Sequence, residues 1–202
     1  MPMIPPPGRA GRLWLQARLG VARRAADLLD RKERLLRSDV RRLSELASSS
    51  SEAWDAACRR AETWAARTAL VGGRDDLFRP GPPAAAEVIW SNSMGLSYPT
   101  EATCRQAPPV PVVSANPALG FAVAANRRAV DAAVHCAAAS YALGQVTAEL
   151  SATRRRRRAI AERWIPDLES ALARLESRLD ELEREEHVRA RWAQRRAPRS
   201  RP

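Results

Sequence analysis

Side chains able to do covalent or metal chemistry are few in this sequence and poorly spaced for it. Cys58, Cys104 and Cys136 stand far apart with no C-x-x-C pair, and the only histidines are His135 and His187. Structural zinc sites group Cys and His at short spacings, so neither a metal nor a disulfide framework is expected, and the odd thiols point to a reducing, cytoplasmic compartment. His135 precedes Cys136 directly, but consecutive helical residues point about 100° apart, so thiol and imidazole do not face each other. A half-buried helix position is the expectation for His135. Gly72-Gly73 runs into Arg-Asp-Asp rather than a G-x-x-x-x-G-K-[ST] loop, which argues against nucleotide hydrolysis, and no cofactor is expected. Asp180, Glu181, Glu183, Glu185 and Glu186 cluster, yet Glu185 and Arg189 have the favourable i, i+4 order of a solvated helix face rather than an acid and base pair.

The feature that remains is cationic. The chain carries 34 basic and 23 acidic side chains, a formal charge of +11, and Lys32 is the sole lysine. Arg154, Arg155, Arg156, Arg157 and Arg158 are consecutive and cover every side of a helix. In a paired helix some of them must lie at the seam's rim with the guanidinium reaching water. Three roles are open to them: a solvated polybasic turn, docking onto an acidic protein surface, or contact with nucleic acid. The last is disfavoured, because no aromatics interleave the arginines and no nucleic-acid-binding module surrounds them.

The elements that must position these residues are helical. Aromatic residues make up 5% of 202 residues and glycines number nine, the composition of a thinly cored, helix-rich chain. No apolar run approaches the ~18 to 20 residues of a membrane span, so no direct membrane insertion is expected. The N-terminal Met-Pro-Met-Ile-Pro-Pro-Pro lacks the charged and apolar regions of a signal peptide. From Leu15 a heptad seam runs through Leu19, Ala22, Ala26, Leu29, Glu33, Leu36, Val40, Leu43 and Ala47, and continues through Ser50, Trp54, Ala57, Ala61, Trp64 and Thr68. Thirteen of those sixteen residues are apolar. Toward the other end, Ala129, Ala132, Cys136, Ala139, Leu143, Val146 and Leu150 form a small-residue seam, and Ile165, Leu168, Leu172, Leu175, Leu179 and Leu182 form a leucine-rich one. The two are out of phase. The shift falls between Thr153 and Pro166, where a kink or stutter is expected.

Eight of the fifteen prolines fall between Pro80 and Pro117, so the middle of the chain has a different character. Residues 86–91 are strand-like, Met94-Gly95 carries a turn, and a short second strand from Leu96 is expected to stop at Pro99. Pro108 onward reads as an extended linker, and Asn116-Pro117 as the start of the second helix. The expected architecture is mainly α: a long antiparallel two-helix coiled coil made by the N- and C-terminal segments, with a small β-hairpin region in the middle. Its boundaries are 9–70 for the first helix, 71–118 for hairpin and connection, and 119–197 for the second helix with a kink near Pro166. Flexible ends are expected at 1–8 and 198–202.

Three places resemble the central-stalk D subunit of V/A-type ATPases. Pro7-Gly8-Arg9 and Leu28-Leu29-Asp30-Arg31-Lys32 are similar to that family's opening proline and arginine and its Leu-Leu-Lys-x-Lys. Ser93-Met94-Gly95-Leu96-Ser97-Tyr98-Pro99 resembles its Met-Gly-Val and proline hairpin. Trp164-Ile165-Pro166-x-Leu168 and Leu179-Asp180-Glu181-x-Glu183-Arg184-Glu185-Glu186 resemble its Ile-Pro and Leu-x-Glu-x-Glu-Arg-Glu-Glu segments. The chain departs at Arg155-Arg156-Arg157-Arg158-Ala159-Ile160-Ala161, where the family has Arg-Arg-Val-Asn-Ala-Leu-Glu. The resemblance implies a non-catalytic rotor shaft, cytoplasmic and peripheral to the membrane. Its partners would be the catalytic and non-catalytic head subunits, a small companion stalk subunit and a membrane-side rotor adaptor. The arginine run is then the expected contact with the stator. Outside that resemblance, a basic coiled-coil adaptor for nucleic acid or an acidic scaffold is the alternative.

Overall fold

The computed structural model describes residues 5–72, 83–108 and 116–196. The chain ends at 1–4 and 197–202, Gly73, and most of the expected linker after Pro108 lie outside them. The elements in order are helix α1 (Gly8–Leu70), strands β1 (Ala85–Ser93) and β2 (Leu96–Arg105), helix α2 (Leu119–Ala159), a π-helical turn (Ile160–Trp164) and helix α3 (Ile165–Arg196). The protein is thus mainly helical, with long helices toward both ends and a two-stranded antiparallel sheet between them in sequence. It divides into two compact units, one of Met1–Arg31 with Thr153–Pro202 and the other of Lys32–Ala152.

In the first unit, the start of α1 pairs with the π-turn and α3. Leu15, Leu19, Ala22 and Leu168 are buried together, and Trp14, Ile160, Ile165, Ala171, Leu172 and Leu175 pack around them. The direction is antiparallel: Arg9 reaches Glu183 at 3.0 Å, and Arg23 reaches Glu169 at 2.8 Å. Those pairs are exposed and contribute about 0 to 1 kcal/mol each, so the leucine seam carries the stability. Gly11 is buried where a side chain would meet the carbonyl of Pro6 and the Leu175 side chain, a close approach that only glycine permits.

In the second unit, the remainder of α1 pairs with α2, again antiparallel. Lys32 binds Glu149 near one end, and Trp64 stacks on Phe121 near the other, with ring centroids 4.6 Å apart. Leu36, Leu43, Ala142, Val146 and Leu150 form the core. The α2 side of this seam is mostly alanine, which leaves room for a third layer. Tyr98 of β2 fills it and is 6% exposed. Met94, Leu96, Val40 and Leu143 pack at its margin.

The hairpin is longer than the sequence suggests. Pro99 does not stop β2, which continues to Arg105. The register shifts there: Ile89 pairs with Glu101 and Trp90 with Pro99, leaving Thr100 as the extra residue of a bulge. A proline lacks the N–H of a ladder bond and is tolerated at bulges, while the Thr100 hydroxyl donates to the Ile89 carbonyl at 3.2 Å. The connecting turn has two residues, Met94 at φ 53° and Gly95 at φ 78°, the left-handed pair that fits the twist of a tight hairpin. Met94 is an unusual occupant of that conformation. Its side chain packs at the core margin and its carbonyl accepts from Lys32, which together hold it there.

Candidate interaction surfaces

The seam residues named from the sequence separate by burial. Leu15, Leu19, Leu36, Leu43 and Leu168 are buried, whereas Leu29, Val40, Leu172, Leu175 and Leu179 are half-buried. Leu182 is 50% exposed, so the leucine seam does not extend to it. Trp54 is likewise 39% exposed, while of the three polar occupants Ser50 is half-buried and Glu33 and Thr68 are buried in phase with the leucines. Heptad phase sets position in the helix pair more strongly than polarity does at those two sites. Glu33 is stabilised by its i+4 neighbour Arg37.

The arginine run occupies the last turns of α2 and belongs to the first unit. Arg154, Arg155, Arg156 and Arg158 are exposed, and Arg157 is partly covered at the phase of buried Thr153. In the same unit, Arg18 of α1 lies over two indoles, 5.0 Å from the Trp14 ring centre and 5.9 Å from that of Trp164. The first unit thus combines a cationic surface with aromatic faces.

The acidic cluster is not an acid and base arrangement. Glu181 pairs with Arg184 at 3.2 Å, Glu185 with Arg189 at 3.0 Å, and Glu183 with Arg9. Among the described residues no three Cys, His, Asp or Glu side chains are grouped to hold a metal ion. His135 is exposed rather than half-buried and lies 3.9 Å from Asp131, one turn earlier on α2. A cleft of about 280 Å³ opens between β2 and the helices of the second unit. Pro99, Ala102, Ala138, Ala139 and Ala142 floor it, and Glu101 and His135 stand among its walls.

Met94, Gly95 and Pro99 come together on the second unit, where the hairpin is anchored at both ends. Lys32 donates to the Met94 carbonyl at 3.3 Å and to Glu149 at 2.7 Å. Gln106 donates to the Arg127 carbonyl at 2.8 Å and fixes the far end of β2 to α2. Between the anchors, Trp90 meets Tyr141 edge-on at 6.0 Å. Val88, Ile89 and Trp90 remain on the surface at 39%, 57% and 53% exposure.

Lys32 stands out in the sequence as the one lysine among 34 basic residues and as the end of the Leu28-Leu29-Asp30-Arg31-Lys32 segment, but neither signal points to a contact with the hairpin. A tetrahedral ammonium can donate to a backbone carbonyl and a carboxylate in divergent directions, which a planar guanidinium does less well. Asn116 was legible as a helix start but not as a clasp between two helices. Its Oδ1 accepts from the Ala118 N–H at 2.9 Å while its Nδ2 donates to the Thr68 carbonyl in the last turn of α1 at 3.0 Å.

Antiparallel helix pairs in both units, a hairpin pinned to one pair and exposed charged surfaces define a class of protein built on paired long helices. Comparison with known proteins gives this class a family. The model for the ATP synthase D subunit matches residues 13–195, and the chain belongs to that family of rotary ATPase stalk subunits. It is 28% identical over 200 residues to the V-type ATP synthase D subunit of Anaeromyxobacter dehalogenans (strain 2CP-C), covering 95% of this chain and 96% of that one. No helix among the described residues is long and apolar enough to cross a membrane.

Proposed function

We propose that this protein is the rotor shaft of a V/A-type ATPase: a component without an active site, cytoplasmic and peripheral to the membrane, that couples ATP turnover in the head to ion translocation. The carrying observation is the antiparallel pairing of the N-terminal and C-terminal segments in a single unit, Arg9 against Glu183 and Arg23 against Glu169, in a chain matched over residues 13–195 by the D-subunit family. On this proposal the paired ends enter the ring of catalytic and non-catalytic head subunits, a small companion subunit binds alongside, and the other end meets a membrane-side rotor adaptor. Coupling needs no chemistry in the shaft. Each orientation must contact each neighbour differently and so favour one of that neighbour's conformations.

The five arginines suit such a contact. Exposed ion pairs are worth about 0 to 1 kcal/mol singly, but five adjacent cations sum their field on an acidic stator surface. The test replaces Arg154, Arg155, Arg156, Arg157 and Arg158 with glutamine and measures association with the head subunits and coupling of ATP turnover to rotation, at low and high salt. The isolated variant should fold, and its association or coupling should fall, with high salt producing the same loss in the parent complex. Normal assembly and coupling at both salts would reduce the run to a solubilising face. Failure to co-purify with head subunits, together with retarded nucleic acid mobility at physiological salt, would favour the basic adaptor instead.

A further inference from the structure

The first unit contains a residue too many, and the structure shows where it is kept. Thr153, Arg157 and Ile160 follow the 4, 3 spacing of a heptad seam, and Ile165, Leu168, Leu172, Leu175 and Leu179 follow it again. Between Ile160 and Ile165 the step is five residues. In a regular α-helix one additional residue rotates everything beyond it by about 100°, which would swing Leu168 off the partner helix. Leu168 is instead 0% exposed, packed with Leu15, Leu19 and Ala22. The α1 seam opposite has no compensating irregularity, since Leu15, Leu19, Ala22, Ala26 and Leu29 keep the 4, 3 spacing without a break.

The compensation lies in the π-turn. Ile160–Trp164 forms a π-helix, and the Ile165 N–H donates to the carbonyl of Ile160, five residues back rather than four. One wide turn therefore holds one extra residue and returns the helix to its former phase. Two further features fix its place. Pro166 follows at once, and a proline ring in a regular helix collides with the carbonyl four residues earlier, here that of Glu162. Widening the turn relieves that collision. From the other helix, Arg18 lies against Trp164, the last residue of the turn.

We propose that Ile160–Trp164 is a one-residue phase shifter: it stores the surplus residue so that α3 stays on the α1 seam, and Pro166 pins it at that position. Turn and proline are then coupled. Deleting Glu162, which is exposed, removes the surplus residue but strands Pro166 inside a regular helix. Adding Pro166→Ala to that deletion leaves an uninterrupted seam with nothing to break it.

The test compares four full-length variants: deletion of Glu162, Pro166→Ala, the two combined, and deletion of Arg24 as a control in α1, where no spare residue exists. Melting temperature is read by circular dichroism. Phase is read by oxidative crosslinking of Ala22→Cys with Leu168→Cys in each background, mapped by mass spectrometry. The Arg24 deletion should lower the melting temperature by about 10 °C or more and lose the crosslink. The Glu162 deletion alone should melt below the parent, and the combined variant should melt at or above the parent with the crosslink intact. If the combined variant melts no higher than the Glu162 deletion, or if its crosslink is lost, the π-turn does not act as a phase shifter and the proposal fails.

Discussion

Replacing Asn116 with alanine should be the most damaging single change at the end of the second unit's helix pair. Asn116 is 9% exposed and its one side chain serves two helix ends. Among the last carbonyls of α1, that of Arg67 accepts from Val71 at 3.3 Å and that of Ala69 from Gly72 at 3.2 Å. The Thr68 carbonyl accepts instead from Asn116 Nδ2, and the Thr68 residue is 0% exposed. Loss of the N-cap acceptor costs about 1 kcal/mol. Leaving a buried carbonyl unpaired adds about 1 to 3 kcal/mol. The sum, about 2 to 4 kcal/mol, corresponds to a fall of roughly 5 to 15 °C for a chain of this size. Asn116→Asp separates the two parts, because a carboxylate still caps α2 but cannot donate to Thr68, and it should fall between parent and alanine. Urea denaturation followed by circular dichroism gives both values. If alanine costs under about 0.5 kcal/mol, or if aspartate matches alanine, the double cap is not what joins the two helices.

Other substitutions test other parts of the packing. Leu168→Ala removes a side chain that is 0% exposed and should cost about 2 to 5 kcal/mol by urea denaturation. Ala22→Leu, at another 0% exposed position, should force the helices apart at about 1 to 3 kcal/mol, and an unchanged melting curve would place Ala22 off the seam. Lys32→Arg should fail to replace the lysine, because the planar guanidinium does not serve the Met94 carbonyl and Glu149 together. Amide hydrogen exchange should then show faster exchange in the 93–98 turn region, as in Lys32→Met.

Legibility in the sequence followed the periodicity of each element. The α1 pattern extends over sixteen seam positions, so a few polar intruders did not hide it, and the burial of Glu33 and Thr68 shows that phase outweighs side-chain type at those positions. The out-of-phase seams before and after residues 153–166 were visible as a mismatch. Their resolution was not, because a one-residue offset is compatible with a kink, a stutter or a π-turn, and only backbone hydrogen bonds distinguish them. The far half of β2 was missed for a related reason: Pro99 is a strand breaker unless the register slips beside it, and the slip depends on the partner strand. Contacts made by single side chains, such as Asn116 on Thr68 and Lys32 on Met94, join residues 48 and 62 positions apart and leave no periodic trace.

The distribution of small residues explains why the hairpin sits on one unit. In the first unit the helix opposite α1 offers Ile165, Leu168, Leu172 and Leu175, side chains large enough to close a two-helix seam without help. In the second, α2 offers Ala125, Ala129, Ala139 and Ala142 beside Val146 and Leu150, and the alanine positions bury less apolar area against α1 than leucines would. Tyr98, Leu96 and Met94 supply the missing area from outside the pair, and the ion pair of Lys32 with Glu149 fixes where the turn must lie. Charge follows the same division, since residues 32–152 hold 13 basic and 12 acidic side chains while residues 1–31 with 153–202 hold 21 and 11. The unit that carries the hairpin thus depends on apolar contact with a third layer, and the unit that carries the arginines keeps its outer surface for charge. On the rotor-shaft proposal, the apolar hairpin face and the arginine surface would therefore serve different partners from different parts of the chain.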